Sequence, residues 1–126
     1  MKSLLLVAHG SRRTESNDEV RQLARDLEAK ADGEYGQVAC AFLELVEPSI
    51  PDGLRAMIRA GAREVIVLPY FLSAGRHVAI DIPAEVNIIR AESPEVDITL
   101  APYLGASSGV VDLLLGLAEE TPAPCS

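Results

Sequence analysis

The 126-residue chain has no tryptophan, only two cysteines and only two histidines, and aromatic residues make up 4% of it. Cys40 and Cys125 lack the CxxC spacing of zinc and redox motifs, so the sequence predicts neither a disulfide nor a structural zinc site. We expect Cys40 to be a buried thiol and Cys125 an exposed one. Because histidine is so scarce, the positions of His9 and His77 are informative.

Long apolar runs and an excess of basic residues are also missing. No run of eighteen or more apolar residues occurs, and the opening MKSLLLVAHG becomes polar too early for a signal peptide. We therefore expect a cytoplasmic protein that does not enter a membrane. Only 11 Lys and Arg stand against 19 Asp and Glu, a formal net charge of -8, which argues against nucleic-acid binding and favours cations as ligands.

What the chain does contain is enough apolar residues, 48% of the total, for one domain with a hydrophobic core. Short apolar runs predict four buried strands, at residues 4–8, 38–43, 65–68 and 96–100. Helical periodicity separates them, and strands that alternate with helices pair in parallel through right-handed crossovers. We predict an α/β fold: a three-layer, doubly wound, parallel four-stranded sheet of flavodoxin-like order 2-1-3-4. We expect one domain over residues 1–120 and a disordered tail over 121–126.

Capping signals predict where the helices begin. Residues 16–19 form an S-x-x-E capping box, and Ser49 is a second N-cap candidate. Pro83 suits the first turn of a third helix, for which Asp81 is the expected cap. One of the serines at 107–108 is expected to cap a last helix.

The two histidines fall where such a sheet is expected to bind ligands. In this strand order the binding crevice lies at the carboxyl ends of the first and third strands. His9 directly follows the first strand, and His77 lies in the connection after the third. A single histidine is more often structural, but two neutral imidazoles there can hold a divalent metal and leave coordination positions open. Glu44 ends the second strand at the same edge and is either a third ligand, a proton acceptor or a solvated carboxylate.

Other side chains near this edge have two interpretations each. The HGS segment at 9–11 lacks a glycine-rich phosphate loop and a G-x-S-x-G elbow, so it predicts neither phosphate binding nor a serine nucleophile. Tyr70 and Phe71 either line a pocket for a flat ligand or close the end of the core. Arg12 and Arg76 either pair with carboxylates of an organic ligand or remain solvated.

Three segments together resemble a known family. The chain is similar to the short CbiX-type sirohydrochlorin chelatases, of the class II chelatases, through VAHGSR, FLELVEPSI and VIVLPYFLSAGRHVAIDIP. The similarity runs in consistent order over residues 1 to about 105. It implies a chelatase domain and a metal chelatase, a lyase that inserts cobalt, iron or nickel into sirohydrochlorin for cobalamin or siroheme synthesis. The family's metal-site histidines correspond to His9 and His77, and its acidic position after the second strand corresponds to Glu44.

The resemblance also implies how the site is used. No cofactor is permanently bound, because the divalent metal is itself a substrate. Metallation removes two pyrrole protons, so Glu44 or a histidine released during transfer would be the base. The candidates for contacting the tetrapyrrole are Ser11, Arg12, Arg76, Tyr70 and Phe71. Some relatives carry a histidine-rich tract; this chain has none and would take metal from solution or from a partner.

The last predicted helix is apolar on two faces. One face carries Val110, Leu113, Leu114 and Leu117, and the other carries Val111, Leu115 and Ala118. A single core contact does not need so wide an apolar surface. We expect a homodimer, because the longer chelatases look like two copies of this domain facing each other across a cleft. The alternative is a monomer in which the extra face packs under the sheet edge.

Two other functions stay open at this stage. A non-catalytic carrier of metal or tetrapyrrole would use the same pocket and the same histidines, but it would stop at one ligand per chain. A flavodoxin-like nucleotide binder is the other possibility, and the absorbance of a bound ligand would reveal it.

Overall fold

The computed structural model describes residues 2–120 and contains one parallel sheet. Its strands are β1 Ser3–Ala8, β2 Val38–Phe42, β3 Glu64–Pro69 and β4 Asp97–Leu100. They lie in the order β2-β1-β3-β4, so the predicted doubly wound α/β topology is confirmed. The predicted disordered tail at 121–126 lies outside the described residues. Over residues 2–120, no helix has both the length and the hydropathy that a membrane crossing requires.

Within the described residues, four α-helices connect or follow the strands: α1 Thr14–Ala31, α2 Ile50–Arg59, α3 Ile82–Glu92 and α4 Gly109–Glu119. A π-helical turn, His77–Asp81, runs directly into α3, and a 3-10 turn, Leu104–Ala106, precedes α4. The cap at Ser49 is confirmed, because its hydroxyl accepts a hydrogen bond from the backbone N–H of Asp52 at 3.2 Å. Pro83 lies in the first turn of α3 as predicted.

The capping box predicted at residues 16–19 is wrong. Helix α1 begins earlier, at Thr14, and no side chain caps it at Arg13. The reason is a contact with the preceding loop, where the buried side chain of Asn17 binds the backbone of Ser11. Asn17 Oδ1 accepts from the Ser11 N–H at 3.0 Å, and its Nδ2 donates to the Ser11 carbonyl at 2.8 Å. This pair of hydrogen bonds fixes the loop that follows β1.

The other two predicted caps have different outcomes. Asp81 does not cap α3, because its carboxylate is hydrogen-bonded to His77 instead. Ser107 does accept a hydrogen bond from the backbone N–H of Gly109, at 3.1 Å, whereas Ser108 holds the N-cap position of α4 without a side-chain bond.

Cys40 is half-buried on β2 rather than fully buried, and Cys125 lies outside the described residues. Burial raises the pKa of the Cys40 thiol, while the positive charges of Arg21 and Arg25 act in the opposite direction. The thiol is therefore less reactive than that of an ordinary exposed cysteine.

The two faces of the sheet are covered unequally. Helices α2 and α3 pack over one face, and alternate strand residues point into that core, among them Leu5, Val7, Val65 and Val67. Helix α1 covers the opposite face, with Leu6, Ala8, Val20, Ala24 and Phe42 in a second cluster. Helix α4 buries none of its residues. It therefore does not pack under the sheet edge, which was the alternative considered for a monomer.

Candidate functional site

The two histidines meet at the carboxyl edge of the sheet. His9 directly follows β1, and His77 opens the π-helical turn after β3. Their ring centroids are 4.6 Å apart and the ring planes are tilted by 35°. Each side chain is 46% exposed. Because β1 and β3 are hydrogen-bonded neighbours, the topology brings together residues that are far apart in sequence, at the predicted switch point.

Glu44 is paired with the first of these histidines. Its Oε1 lies 2.9 Å from Nε2 of His9. The backbone sets up this contact, since the Glu44 N–H donates to the His9 carbonyl at 3.0 Å. Residues 44–46 form a tight turn, in which the Val46 N–H donates to the Glu44 carbonyl at 2.8 Å. The central residue of this turn, Leu45, has a φ of 69°. The loop after β2 therefore holds Glu44 against His9.

Gly10 is required for that close approach. Its φ is 95°, and a Cβ added there would lie 1.9 Å from the carbonyl oxygen of Glu44. Any other residue would strain the backbone and also push the loop after β2 away from the loop after β1. The glycine of the HGS segment therefore aligns His9 with Glu44 rather than binding phosphate.

Asp81 holds the second histidine and was not predicted as a site residue. Its Oδ2 lies 2.9 Å from Nδ1 of His77, and Nε of Arg76 lies 3.9 Å from its Oδ1. An ionised carboxylate only accepts hydrogen bonds, so Nδ1 of His77 is the donor in this pair, and in the neutral ring the lone pair is then on Nε2. The signal available in the sequence is the spacing of four residues from His77 to Asp81, which places both side chains on one face of a helix.

The other residues predicted to contact the tetrapyrrole differ in their relation to the histidine pair. The ring of Phe71 has its centroid 6.5 Å from that of His77, and Tyr70 is 42% exposed. Arg76 is close to Asp81, and Arg12 is exposed. Ser11 is partly committed to its own loop, because its hydroxyl accepts from the Arg13 N–H at 3.0 Å.

The arrangement is open and holds few potential ligands. Within residues 2–120, no three His, Cys, Asp or Glu side chains converge into a ready metal-binding group. Beside His77 lies a shallow cavity of about 280 Å³ that Glu44 and Asp81 also line. Closed structural metal sites have four protein ligands, whereas two imidazoles suit a metal that is bound for a short time and then passed on. The carboxylate of Glu44 lies beside this pair, 2.9 Å from Nε2 of His9.

The doubly wound sheet has two adjacent histidines at its switch point, each paired with a carboxylate. Its similarity to solved chelatases places the domain in the chelatase-like class of α/β proteins. The chain belongs to the CbiX family, whose sequence model matches residues 3–121.

Curated relatives act on sirohydrochlorin. The sirohydrochlorin cobaltochelatase of Methanococcus aeolicus is 30% identical in an alignment that covers 94% of this chain and 99% of the relative. That of Methanococcus maripaludis is 38% identical over 92 residues, 73% of this chain and 62% of the relative. The sirohydrochlorin ferrochelatase of Priestia megaterium is 31% identical over 121 residues, 96% of this chain and 45% of the relative. The chain thus spans less than two thirds of the length of the last two proteins.

Solved structures of the same family have the same fold. A CbiX protein from Marinobacter aquaeolei has a TM-score of 0.81 at 28% identity, with 95% of this chain and 96% of that chain covered. The sirohydrochlorin chelatase SirB from Bacillus subtilis subspecies spizizenii, in complex with cobalt, has a TM-score of 0.83 at 28% identity and covers 94% of this chain. Only 50% of that SirB chain is matched, so it is about twice as long as the domain described here.

Proposed function

We propose that this protein is a sirohydrochlorin chelatase, a lyase that inserts cobalt, iron or nickel into the tetrapyrrole. The observation that carries the proposal is the contact between His9 and His77 at the switch point, with a carboxylate on each ring. The family relatives are named for cobalt and iron insertion into sirohydrochlorin, which supports the substrate and the first two metals.

In this proposal, His9 and His77 bind the incoming metal. Nε2 of His77 has a free lone pair, and a metal ion would replace the proton between Nε2 of His9 and Oε1 of Glu44. Those two atoms are 2.9 Å apart. Metal–ligand bonds of about 2.1 Å place adjacent octahedral ligands about 3 Å apart, so the pair needs little movement to accept the ion.

Glu44 is the proposed base. The macrocycle exchanges two pyrrole N–H protons for one divalent ion, so its net charge does not change and two protons must leave. Glu44 accepts one of them as its bond to the metal breaks, and water accepts the other. The Glu44 side chain is 54% exposed, which gives the proton a path to solvent.

The macrocycle itself is proposed to bind above the histidines. Tyr70 and Phe71 offer flat apolar surfaces beside the ring pair. The Arg76 side chain is 79% exposed, and together with Arg12 it can pair with substrate carboxylates. The Ser11 hydroxyl accepts from its own loop but retains its hydrogen to donate to a carboxylate.

We further propose that the enzyme works in the cytoplasm, in cobalamin or siroheme synthesis, without a permanently bound cofactor and as a homodimer. The length of SirB, about twice that of this domain, supports the dimer, because a second copy would supply the wall that a flat macrocycle otherwise lacks.

The test is an anaerobic metallation assay with purified protein, sirohydrochlorin and Co²⁺, Fe²⁺ or Ni²⁺ in parallel. We expect the absorbance of the macrocycle to shift at a rate proportional to enzyme concentration, with many macrocycles metallated per chain. A reaction that stops at one macrocycle per chain would identify a carrier instead. The uncatalysed rate of each metal in the same buffer is the control.

Asp81→Asn is expected to lower the metallation rate by about 10–100-fold, because the neutral amide can donate as well as accept and so holds the proton on Nδ1 of His77 less firmly. The variant should require more metal for half-maximal rate while melting at the wild-type temperature, which separates positioning of His77 from support of the fold. Asp97→Asn, at the exposed amino end of β4, is the matched control and should behave as wild type. An unchanged metal requirement in Asp81→Asn would show that this hydrogen bond does not position the ligand.

A further inference from the structure

The sheet face that carries α1 has an uncovered apolar groove. Beside α1, Leu68 of β3 is only half-buried and Thr99 of β4 is exposed. Next to Leu68, an apolar groove has a volume of about 760 Å³, and Leu6, Leu23, Leu27, Leu68, Tyr70 and Tyr103 are among the residues that line it. Over the described residues, the lining includes no charged side chain and no histidine. An anionic or cationic small ligand therefore has no charge partner there.

The same chain carries a helix without a core. No residue of α4 is buried. Five of its large apolar side chains are each about 60% exposed: Val111 61%, Leu113 63%, Leu114 60%, Leu115 59% and Leu117 62%. In a doubly wound domain each face of the sheet is covered by helices, yet among residues 2–120 one face holds α1 alone.

The chain's own α4 starts at the groove but leads away from it. Ser107 and Ser108 line the groove, whereas no residue of α4 does. The 3-10 turn before them is fixed, because the Gly105 N–H donates to the Phe71 carbonyl at 3.0 Å. A Cβ on Gly105 would lie 1.9 Å from the Leu72 carbonyl oxygen, so this turn packs directly on the loop after β3. The turn that leads into α4 is thus held by contacts with the rest of its own domain.

We propose that α4 of a second copy of this chain fills the groove, and that the exchange is reciprocal in a two-fold dimer. The proposal rests on the homodimer proposed above and names its interface. The groove and the helix are both apolar, both uncovered and present in every copy, so one symmetry operation covers all of these surfaces. The helix of eleven residues is about 16 Å long, a length that fits along one face of a four-stranded sheet.

The area of such a contact is large enough for a stable dimer. Burying the five exposed side chains removes on the order of 300 Å² of each helix from water. The facing groove loses a similar area, and reciprocity doubles both, which gives roughly the 1,200 Å² at which specific interfaces begin.

The exchange would also bring the second copy close to the histidines. Tyr70 lines both the groove and the depression beside His9 and Gly10. A partner helix seated in the groove would therefore pack against a residue that we propose touches the macrocycle.

The first experiment measures mass by sedimentation of the full chain at micromolar concentration. We expect a dimer for the wild type and a monomer for the double variant Leu114→Asp and Leu117→Asp. Ile88→Asp is the control, because it places one added aspartate at an apolar position of α3 that is 44% exposed; it should remain a dimer. A monomeric wild type would overturn both the homodimer and the helix exchange.

The second experiment distinguishes an exchanged helix from other dimers. A chain with Leu27→Cys and a differently tagged chain with Leu114→Cys, both with Cys40→Ala and Cys125→Ser, are co-expressed and treated with a short thiol cross-linker. We expect a cross-linked product that contains one chain with each tag. A dimer without this product would overturn the exchange and leave the homodimer standing. A third chain carries Leu27→Cys and Leu114→Cys together. Cross-linking within one such chain would show that α4 folds back on its own groove and would also overturn the helix exchange. Metallation is assayed separately, so these outcomes do not depend on the chelatase proposal.

Discussion

His9→Ala and His77→Ala are each expected to reduce the rate of sirohydrochlorin metallation by at least about 100-fold. One imidazole cannot hold a divalent ion in the open site, because the described residues provide no preformed group of three ligands to replace the lost one. Both side chains are about half exposed, so the fold should survive either change. The rate is measured anaerobically with Co²⁺ at several metal concentrations.

Two further measurements make this prediction decisive. Co²⁺ titrated without the macrocycle should give a visible absorbance band with the wild type and a much weaker one with either variant. Leu72→Ala, at a position 74% exposed in the loop between β3 and His77, is the control for a change in the same segment and should retain activity. Near-normal rates in both histidine variants would mean that the metal enters the macrocycle elsewhere.

Gly10→Ala is expected to have the largest effect on the fold. A methyl group at this position would lie 1.9 Å from the Glu44 carbonyl oxygen, and the backbone φ of 95° is unfavourable for alanine. Backbone strain and overpacking together should lower the free energy of unfolding by about 3 kcal/mol or more. Metallation should fall as well, because the loop that carries Glu44 must move away from His9. Urea unfolding measures the first effect, and the metallation assay measures the second.

Gly61→Ala separates the two causes. Gly61 also has a positive φ, 106°, but a Cβ there would meet nothing within 4 Å. The free energy of unfolding of this variant should therefore fall only by the cost of the strained backbone, about 1 kcal/mol. The variant should keep full activity. If Gly10→Ala were no less stable than Gly61→Ala, the close approach of the two loops would not be what requires glycine.

The sheet and the meeting of the histidines could be predicted from the sequence for a simple reason. Apolar runs and helical periodicity are local patterns, and right-handed crossovers leave few ways to arrange four parallel strands. In the strand order β2-β1-β3-β4, β1 and β3 are neighbours and their carboxyl ends are adjacent. His9 and His77 must therefore lie at one edge of the sheet. Ser49 was predicted correctly for the same reason, since its hydrogen bond stays within the first turn of its own helix.

Only the tertiary structure decided which partner each polar side chain takes and which apolar surface remains open. Asn17 binds Ser11 rather than forming part of a capping box, and Asp81 binds His77 rather than capping α3, because each chooses among neighbours whose positions depend on the folded loops. Gly10 is indispensable through contact with Glu44, which is remote in sequence. Helix α4 shows the same principle, since its apolar pattern is visible in the sequence, but only the packing of α1, α2 and α3 determines which groove on the sheet stays open.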